Sequence, residues 1–261
     1  VPDEQPQESC PSISISETRE RIASVRSIAV LTGAGISADS GVPTFRGATG
    51  LWRTYRAEEL ATPDAFARDP RLVWEWYDWR RALIAAARPN AGHDALAALE
   101  RYGERRHSRF TLMTQNVDGL HAEAGSRSLL ELHGNIWKLR CTACGAVSTD
   151  RRVPLPLTPE LPNCVPCGGL LRPHIVWFGE SLDPTIMRSA IDAATSCELL
   201  LVIGTSGVVQ PAASLVSMAR EAGAWIVEVN PEQSTNSAVH CWVAGRAAEI
   251  MPRLVPQAAT G

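Results

Sequence analysis

Cys141, Cys144, Cys164 and Cys167 form two C-x2-C pairs separated by nineteen residues. That spacing suits a tetrahedral zinc site, and four thiolates leave the metal no open position, so such a site builds structure rather than catalysing. Gly145 after the first pair and Gly168-Gly169 after the second let the backbone turn sharply around an ion. Two disulfides are the other reading, but the total of seven cysteines is odd, and Cys10, Cys197 and Cys241 stand singly. Other residues carry different chemistry. Gly33, Gly35 and Ala38 fit G-x-G-x-x-[G/A] at the end of an apolar run, where glycine allows close approach to a pyrophosphate. The same pattern serves a plain strand-to-helix turn, and no acidic residue about twenty positions on completes the dinucleotide fingerprint. His133 has the right chemistry for a general base near neutral pH, although lone histidines are commonly structural. Tyr77 and Arg80 lie three apart in a helical stretch and share a face. A guanidinium and a phenol so placed can receive a carboxylate through charge-assisted hydrogen bonds. A bare helical arginine usually faces solvent, and that is the reading for Arg81.

The elements that must position these groups alternate. Ser27–Thr32, Phe110–Thr114, Leu199–Ile203 and Trp225–Val229 are short apolar runs that end in glycine or polar residues, as buried parallel strands do. Helical spacing fills Glu17–Arg26, Ala91–Tyr102, Pro184–Thr195 and Pro211–Ala222. The expectation is a doubly wound, mostly parallel, Rossmann-like α/β sheet, with ligands beyond the carboxyl ends of the strands. Four such ends supply polar groups: Gly33-Ala34-Gly35, Gln115-Asn116-Val117-Asp118, Gly204-Thr205-Ser206 and Asn230-Pro231-Glu232. Ser37, Asp39, Ser40, Thr44 and Arg46 extend the first into a polar loop that suits a cofactor lid. Two segments interrupt the alternation and are expected to form a smaller lobe: a tryptophan-rich helical insertion (45–88) and the cysteine module (138–173). The dinucleotide-binding domain then comprises 17–44, 89–137 and 174–255, and residues 1–16 read as a poorly ordered tail.

The 261 residues carry a net charge of −3, which gives no global electrostatic case for nucleic acid or a membrane surface. A zinc-ribbon module binding nucleic acid is the non-enzymatic alternative, since Lys138, Arg140, Arg151, Arg152 and Arg172 make that lobe locally basic; no aromatic stacking array accompanies them. No run of about 20 apolar residues spans a bilayer, and the first sixteen residues lack a hydrophobic signal core. A monomer in a reducing cytoplasm is the expectation.

Taken together, G-A-G-I-S-A-D-S-G-V-P-T-F-R-G (Gly33–Gly47), T-Q-N-V-D-G-L-H (Thr114–His121), L-H-G (Leu132–Gly134), the four cysteines, G-T-S (Gly204–Ser206) and V-N-P (Val229–Pro231) resemble the sirtuin family, in the family's order. The resemblance implies NAD-dependent deacylation of acylated protein lysines. The acyl oxygen attacks the ribose carbon as nicotinamide leaves, and a structural zinc ion holds the small lobe. It assigns Asp118 and the backbone near Ile36 to the carboxamide, Asn116 and Gln115 to ribose and water, and His133 to the ribose hydroxyl proton. His93 and His121 keep a structural reading. Phe45 shields the reacting sugar face and Arg46 lies near the phosphates. Gly204, Thr205 and Ser206 donate to phosphate and ribose, Asn230 and Glu232 meet the adenosine ribose, and the Ala247 backbone meets adenine. Gly33, Ala34, Gly35, Asp39, Thr44, Trp52, Val117 and Pro231 complete the implied NAD surface. Thr44, where many sirtuins carry Asp, Ala57, which keeps an acyl pocket wide, and the Tyr77/Arg80 pair resemble the subgroup that removes succinyl, malonyl and glutaryl groups. Val176, Trp177, Phe178, Gly179 and Glu180 are implied to wall a groove in which the substrate peptide pairs by its main chain. NAD glycohydrolysis or ADP-ribosyl transfer from the same pocket is the second enzymatic reading, and neither needs Tyr77 or Arg80.

Overall fold

A computed structural model describes residues 11–43, 51–52, 55–205 and 210–256. Its main sheet contains β1 (Ser27–Thr32), β4 (Arg109–Thr114), β5 (Leu129–Glu131), β9 (Leu199–Ile203), β10 (Trp225–Asn230) and β11 (Cys241–Ala244). Across the sheet they run β11-β10-β9-β1-β4-β5, and every pairing is parallel. Counted in chain order this is 3-2-1-4-5-6, with the order reversing between β1 and β9, the crevice where such sheets bind ligands.

The period-2 geometry of a strand sends alternate residues to opposite faces. Ile28 and Val30 of β1 join one core with α1 (Ile15–Ser24), α5 (Ala91–Arg105) and α9 (Ala247–Leu254), through Ile22, Leu96, Leu99 and Leu254. Ala29 and Leu31 join the other core with α7 (Pro184–Ser196) and α8 (Ser214–Glu221), through Ala190, Leu215 and Val216. Both faces of β1 and β9 are buried, which explains their unbroken apolar runs. Each fully buried Leu or Ile contributes roughly 1.5–3 kcal/mol. The short edge strands β5 and β11 carry no comparable run, and sequence periodicity passes over them.

The chain begins to order earlier than expected. Ser12 bridges Trp242, Ile13 donates to the Trp242 carbonyl, and Ser14 caps α1 through a box with Glu17. The expected tail therefore loses residues 11–16 to the fold, because β11 offers them an open sheet edge; residues 1–10 lie outside those described.

The smaller lobe has its own apolar cluster, drawn from both interrupting segments. It contains the antiparallel pair β2 (Leu51–Trp52) and β3 (Tyr55–Arg56), the helices α2 (Ala57–Leu60), α3 (Pro63–Arg68) and α4 (Pro70–Ala86), and a sheet of β6 (Gly134–Cys141), β7 (Val147–Thr149) and β8 (Leu171–Ile175). β6 and β8 cross the expected domain boundaries at 137/138 and 173/174, because the pair leaves the main lobe as continuous strands. Asp69 caps α4 by accepting from the Leu72 amide, and Pro70 opens its first turn. One face of α4, at positions 71, 74, 78 and 81, is hydrogen-bonded to the cysteine module. Arg71 donates to the Leu157 carbonyl at 2.6 Å, the Trp74 indole to Leu171 at 3.0 Å, and the Leu155 amide to Asp78 at 2.6 Å. Arg81 is fully buried and donates to the Ile136, Asp150 and Arg152 carbonyls. The expectation of a solvated Arg81 is thereby corrected: three carbonyls and the Asp150 carboxylate replace its water.

Candidate functional site

The site lies at the β1/β9 crevice, where three glycines let two loops touch backbone to backbone. The Gly35 amide donates to the Gly204 carbonyl at 2.8 Å and the Gly33 amide to that of Ile203 at 3.0 Å. A Cβ on Gly35 would sit 2.7 Å from the Gly204 Cα, and Gly204 itself has φ +59°, a conformation that favours glycine. A 3-10 turn (Ala34–Ser40) and short helix α6 (Leu120–Glu123) follow β1 and β4.

The end of β4 brings its polar residues to this crevice. Gln115 reaches across β1 to the Thr205 hydroxyl at 3.0 Å. Asn116 donates to the Gly33 carbonyl at 3.0 Å and to the Ser37 hydroxyl at 3.2 Å. Ser37 in turn donates to Asp118 at 2.8 Å, and the other Asp118 oxygen accepts the Leu120 amide at 2.9 Å. Burial raises the Asp118 carboxyl above its ordinary range, opposed by these hydrogen bonds and the nearby positive charge of Arg80. Ile36 is buried, and its carbonyl already accepts from Asn90 at 2.8 Å. Val117 lends its carbonyl to the Ile136 amide. Behind this layer, His93 and His121 meet at 4.8 Å between ring centres with a tilt of 58° and are buried. Burial pushes them down to about 4 and about 3.

His133 stands between the main sheet and the small lobe. Its Nδ1 lies 3.0 Å from the Gln115 carbonyl. A carbonyl only accepts, so Nδ1 carries the proton and Nε2 keeps its lone pair. Burial lowers the imidazole below its ordinary value, opposed by the Gln115 contact. Gly134 follows with φ +81°, and a Cβ there would collide with the His174 carbonyl. That close approach is the physical basis of the L-H-G pattern.

Tyr77 and Arg80 lie one turn apart on α4, with Tyr77 flanking the stitched face beside Trp74 and Arg81. Tyr77 is 2% exposed, shares a cluster with Ala57 and accepts a hydrogen bond from the Trp177 indole at 2.7 Å. Burial pushes its phenol up to about 12 against the pull of Arg80, so the hydroxyl remains protonated. The Arg80 guanidinium packs over Trp76 at 5.2 Å and feels the negative charge of Asp118. Among Val176–Glu180, Phe178 is the large side chain on the surface, at 48% exposure, whereas Trp177 is buried. The Val176 amide donates to the His133 carbonyl and the Phe178 amide to Ala61, so this segment does run beside His133. Its tryptophan ring, expected on the groove wall, turns inward instead because Phe66 and Tyr77 form an aromatic pocket for it.

At the end of β10, Asn230 donates to the Thr205 carbonyl at 3.0 Å. Pro231 and Glu232 are exposed beside it. Glu228, which sequence reasoning did not single out, is buried and accepts from Asn230 and Ser234. Asp39 pairs with Arg246, and the next residue, Ala247, opens α9. Thr44, Phe45, Arg46 and Ser206 lie outside the described residues; Trp52 is placed by its backbone in β2.

The four cysteines converge. Their Sγ atoms lie within 4.8 Å of one another, with Cys141–Cys167 at 3.5 Å and Cys144–Cys164 at 3.7 Å. A zinc tetrahedron with Zn–S of about 2.3 Å has edges of about 3.8 Å, so the set fits the ion, and all four are free thiols rather than disulfides. Gly145 and Gly168 have φ of +73° and +72°, which closes each turn. Among the described residues no helix is long and apolar enough to cross a membrane.

Arg81 and Arg172 are the principal residues that sequence reasoning left without a role at the site, and Ser37, read there only as part of a polar loop, holds Asp118. Ser37 could be found only through its motif. Arg172 packs its guanidinium 3.3 Å from the Trp177 ring centre, and Arg81 joins α4 to Asp150. No local signal marks either one, because the partners are distant in the chain.

The Sir2 family model matches residues 33–211. NAD-dependent protein deacylase 2 of Pyrobaculum aerophilum is 53% identical over 237 residues, covering 90% of this chain and 92% of its own. The NAD-dependent protein deacylase of Aquifex aeolicus is 55% identical over 207 residues, covering 79% and 84%. Among solved structures, a Sir2 homologue–NAD complex matches with TM-score 0.88 at 44% identity over 95% of both chains. A Sir2–p53 peptide–NAD+ complex matches with TM-score 0.82 at 32% identity, over 93% of this chain and 97% of its own.

Proposed function

Because the chain belongs to the Sir2 family, we propose that it is an NAD-dependent protein-lysine deacylase that favours succinyl and malonyl groups, with glutaryl as a further substrate and some deacetylase activity. Nicotinamide and O-acyl-ADP-ribose are the products. NAD supplies the sugar carbon that accepts the acyl oxygen when the bond to nicotinamide breaks.

The chain's own residues have defined tasks in this reading. Asp118, held by Ser37 and the Leu120 amide, binds the carboxamide. Asn116 and Gln115 orient the ribose and water. His133, its Nδ1 committed to the Gln115 carbonyl, takes the ribose hydroxyl proton at Nε2. The Gly33–Gly35 and Gly204 backbones line the phosphate path, with Thr205, Asn230 and Glu232 toward the adenosine. Cys141, Cys144, Cys164 and Cys167 hold zinc as a structural ion. The partner is an extended acyl-lysine segment of another protein, running beside Val176–Glu180.

The acidic-acyl preference is supported by placement: Tyr77 and Arg80 lie one turn apart on α4, the Tyr77 hydroxyl is held by Trp177, and the Arg80 guanidinium is near enough to Asp118 to feel its charge. A carboxylate-ended acyl chain that met Arg80 and Tyr77 would then have its carbonyl end toward the NAD pocket. Hydrogen bonds to a charged group contribute about 1.5–3 kcal/mol, a preference of roughly 10- to 150-fold over an acetyl group that leaves them unused. Mass spectrometry of succinyl-, malonyl- and acetyl-lysine peptides, with and without NAD, tests the reaction. In the same assay Arg80→Met should lose desuccinylation by about that factor more than deacetylation; equal losses would make Arg80 a support of the fold.

A further inference from the structure

Tyr77 and Trp177 are a hundred residues apart and meet through one hydrogen bond, Trp177 Nε1–H to Tyr77 Oη at 2.7 Å. An indole can only donate, so the tyrosine must be the acceptor. A phenol proton lies in the plane of its ring. With one in-plane side of the oxygen taken up by the indole, the proton is directed to the other.

The indole is itself held on several sides. The Arg172 guanidinium lies 3.3 Å from its ring centre. Glu180 clamps that guanidinium with two hydrogen bonds at 2.6 and 2.9 Å, and the Ile175 carbonyl accepts from it at 2.9 Å. Glu180 also accepts the Trp177 amide at 2.9 Å, and Phe66 packs on the indole at 5.3 Å. The direction of one hydroxyl is therefore set by the turn after β8 and not by α4, which carries the tyrosine.

We infer that Trp177 is a specificity-determining positioning residue that aims the Tyr77 hydroxyl proton at the carboxylate of an acidic acyl chain. This rests on the reading of Tyr77 and Arg80 given above. An acetyl group ends before it reaches the phenol and makes no use of that proton. Losing the indole donor frees the phenol to turn its proton elsewhere, so the cost falls on succinyl and malonyl substrates.

Steady-state kinetics on succinyl- and acetyl-lysine peptides test this with Trp177→Phe, Tyr77→Phe, the double variant and Arg80→Met. Trp177→Phe should raise the KM for the succinyl peptide by roughly 2- to 12-fold more than for the acetyl peptide, the range of one neutral hydrogen bond. That extra loss should vanish in the Tyr77→Phe background. Even losses on the two peptides, or an extra loss that persists without the phenol, overturn the inference while a succinyl-selective Arg80→Met leaves the underlying reading intact. If neither Trp177→Phe nor Arg80→Met discriminates, both fall. Indole 15N–1H resonances of the unsubstituted chain give a second measurement should Trp177→Phe not fold. The resonance displaced by Tyr77→Phe should move when succinyl peptide is added and stay in place with acetyl peptide; the same response to both overturns the inference.

Discussion

Inside the small lobe, the Arg81 guanidinium meets the Asp150 carboxylate at 3.2 Å, with the two side chains 1% and 8% exposed. The same guanidinium serves the Ile136 and Arg152 carbonyls. Arg81→Met would leave Asp150 to Arg152 and strand the Ile136 and Arg152 carbonyls, at about 1–3 kcal/mol for each buried group left unpaired. Urea unfolding should therefore lose about that much stability in this variant, and a loss under 1 kcal/mol would mean that water takes over the arginine's role.

Zinc should stabilise more than its own four ligands. The face of α4 at 71, 74, 78 and 81 hangs on carbonyls and an amide of the cysteine module. Metal removal that melts the module also removes these partners, because binding energy at a structural site is folding energy. Hydrogen exchange should then quicken along Pro70–Ala86 while β1 and β9, buried on both faces, stay protected. Unchanged protection of α4 in the chelated protein would uncouple helix from metal.

Legibility in the sequence followed burial and locality. Ser27–Thr32 and Leu199–Ile203 were readable to the residue because both faces of each strand are covered. The glycine turn, the cysteine pairs and the Tyr77/Arg80 spacing were readable because each is local. Arg81 has the spacing of any exposed helical arginine, whereas the carbonyls that bury it come from β6 and the segment after β7. Trp177 was expected on a groove wall because its neighbours run beside the site. Only the packing of Phe66 and Tyr77 shows which way its ring turns.

Acid should destabilise this fold early. Burial holds His93 at about 4 and His121 at about 3, against about 6.5 in an unfolded chain. Above pH 6.5 both states keep them neutral, and they add no pH dependence. As pH falls below 6.5, the unfolded chain takes up protons that the folded chain refuses, so stability drops until the folded values are reached. Each histidine should cost on the order of 2 kcal/mol by pH 5. Denaturant titrations at pH 7, 6 and 5 measure the slope, and His121→Gln should flatten it by about one proton. A slope unaltered by that substitution would place the titration elsewhere.

Catalysis should survive to lower pH than free imidazole allows. In the proposed role His133 can act as a base only while Nε2 is bare, and protonation closes that route. Burial lowers its pKa below the ordinary value, with the Gln115 carbonyl pulling back only in part. The acid limb of kcat/KM, which reports the free enzyme, should therefore lie below about 6.5 and remain flat between there and neutrality. His133→Tyr should abolish deacylation with the bound zinc retained, since the cysteines lie on a separate module. An acid limb centred above pH 7 in the unsubstituted enzyme, or full turnover in His133→Tyr, would remove His133 from the role of base and leave the Gln115 contact as a purely structural link between β4 and the small lobe.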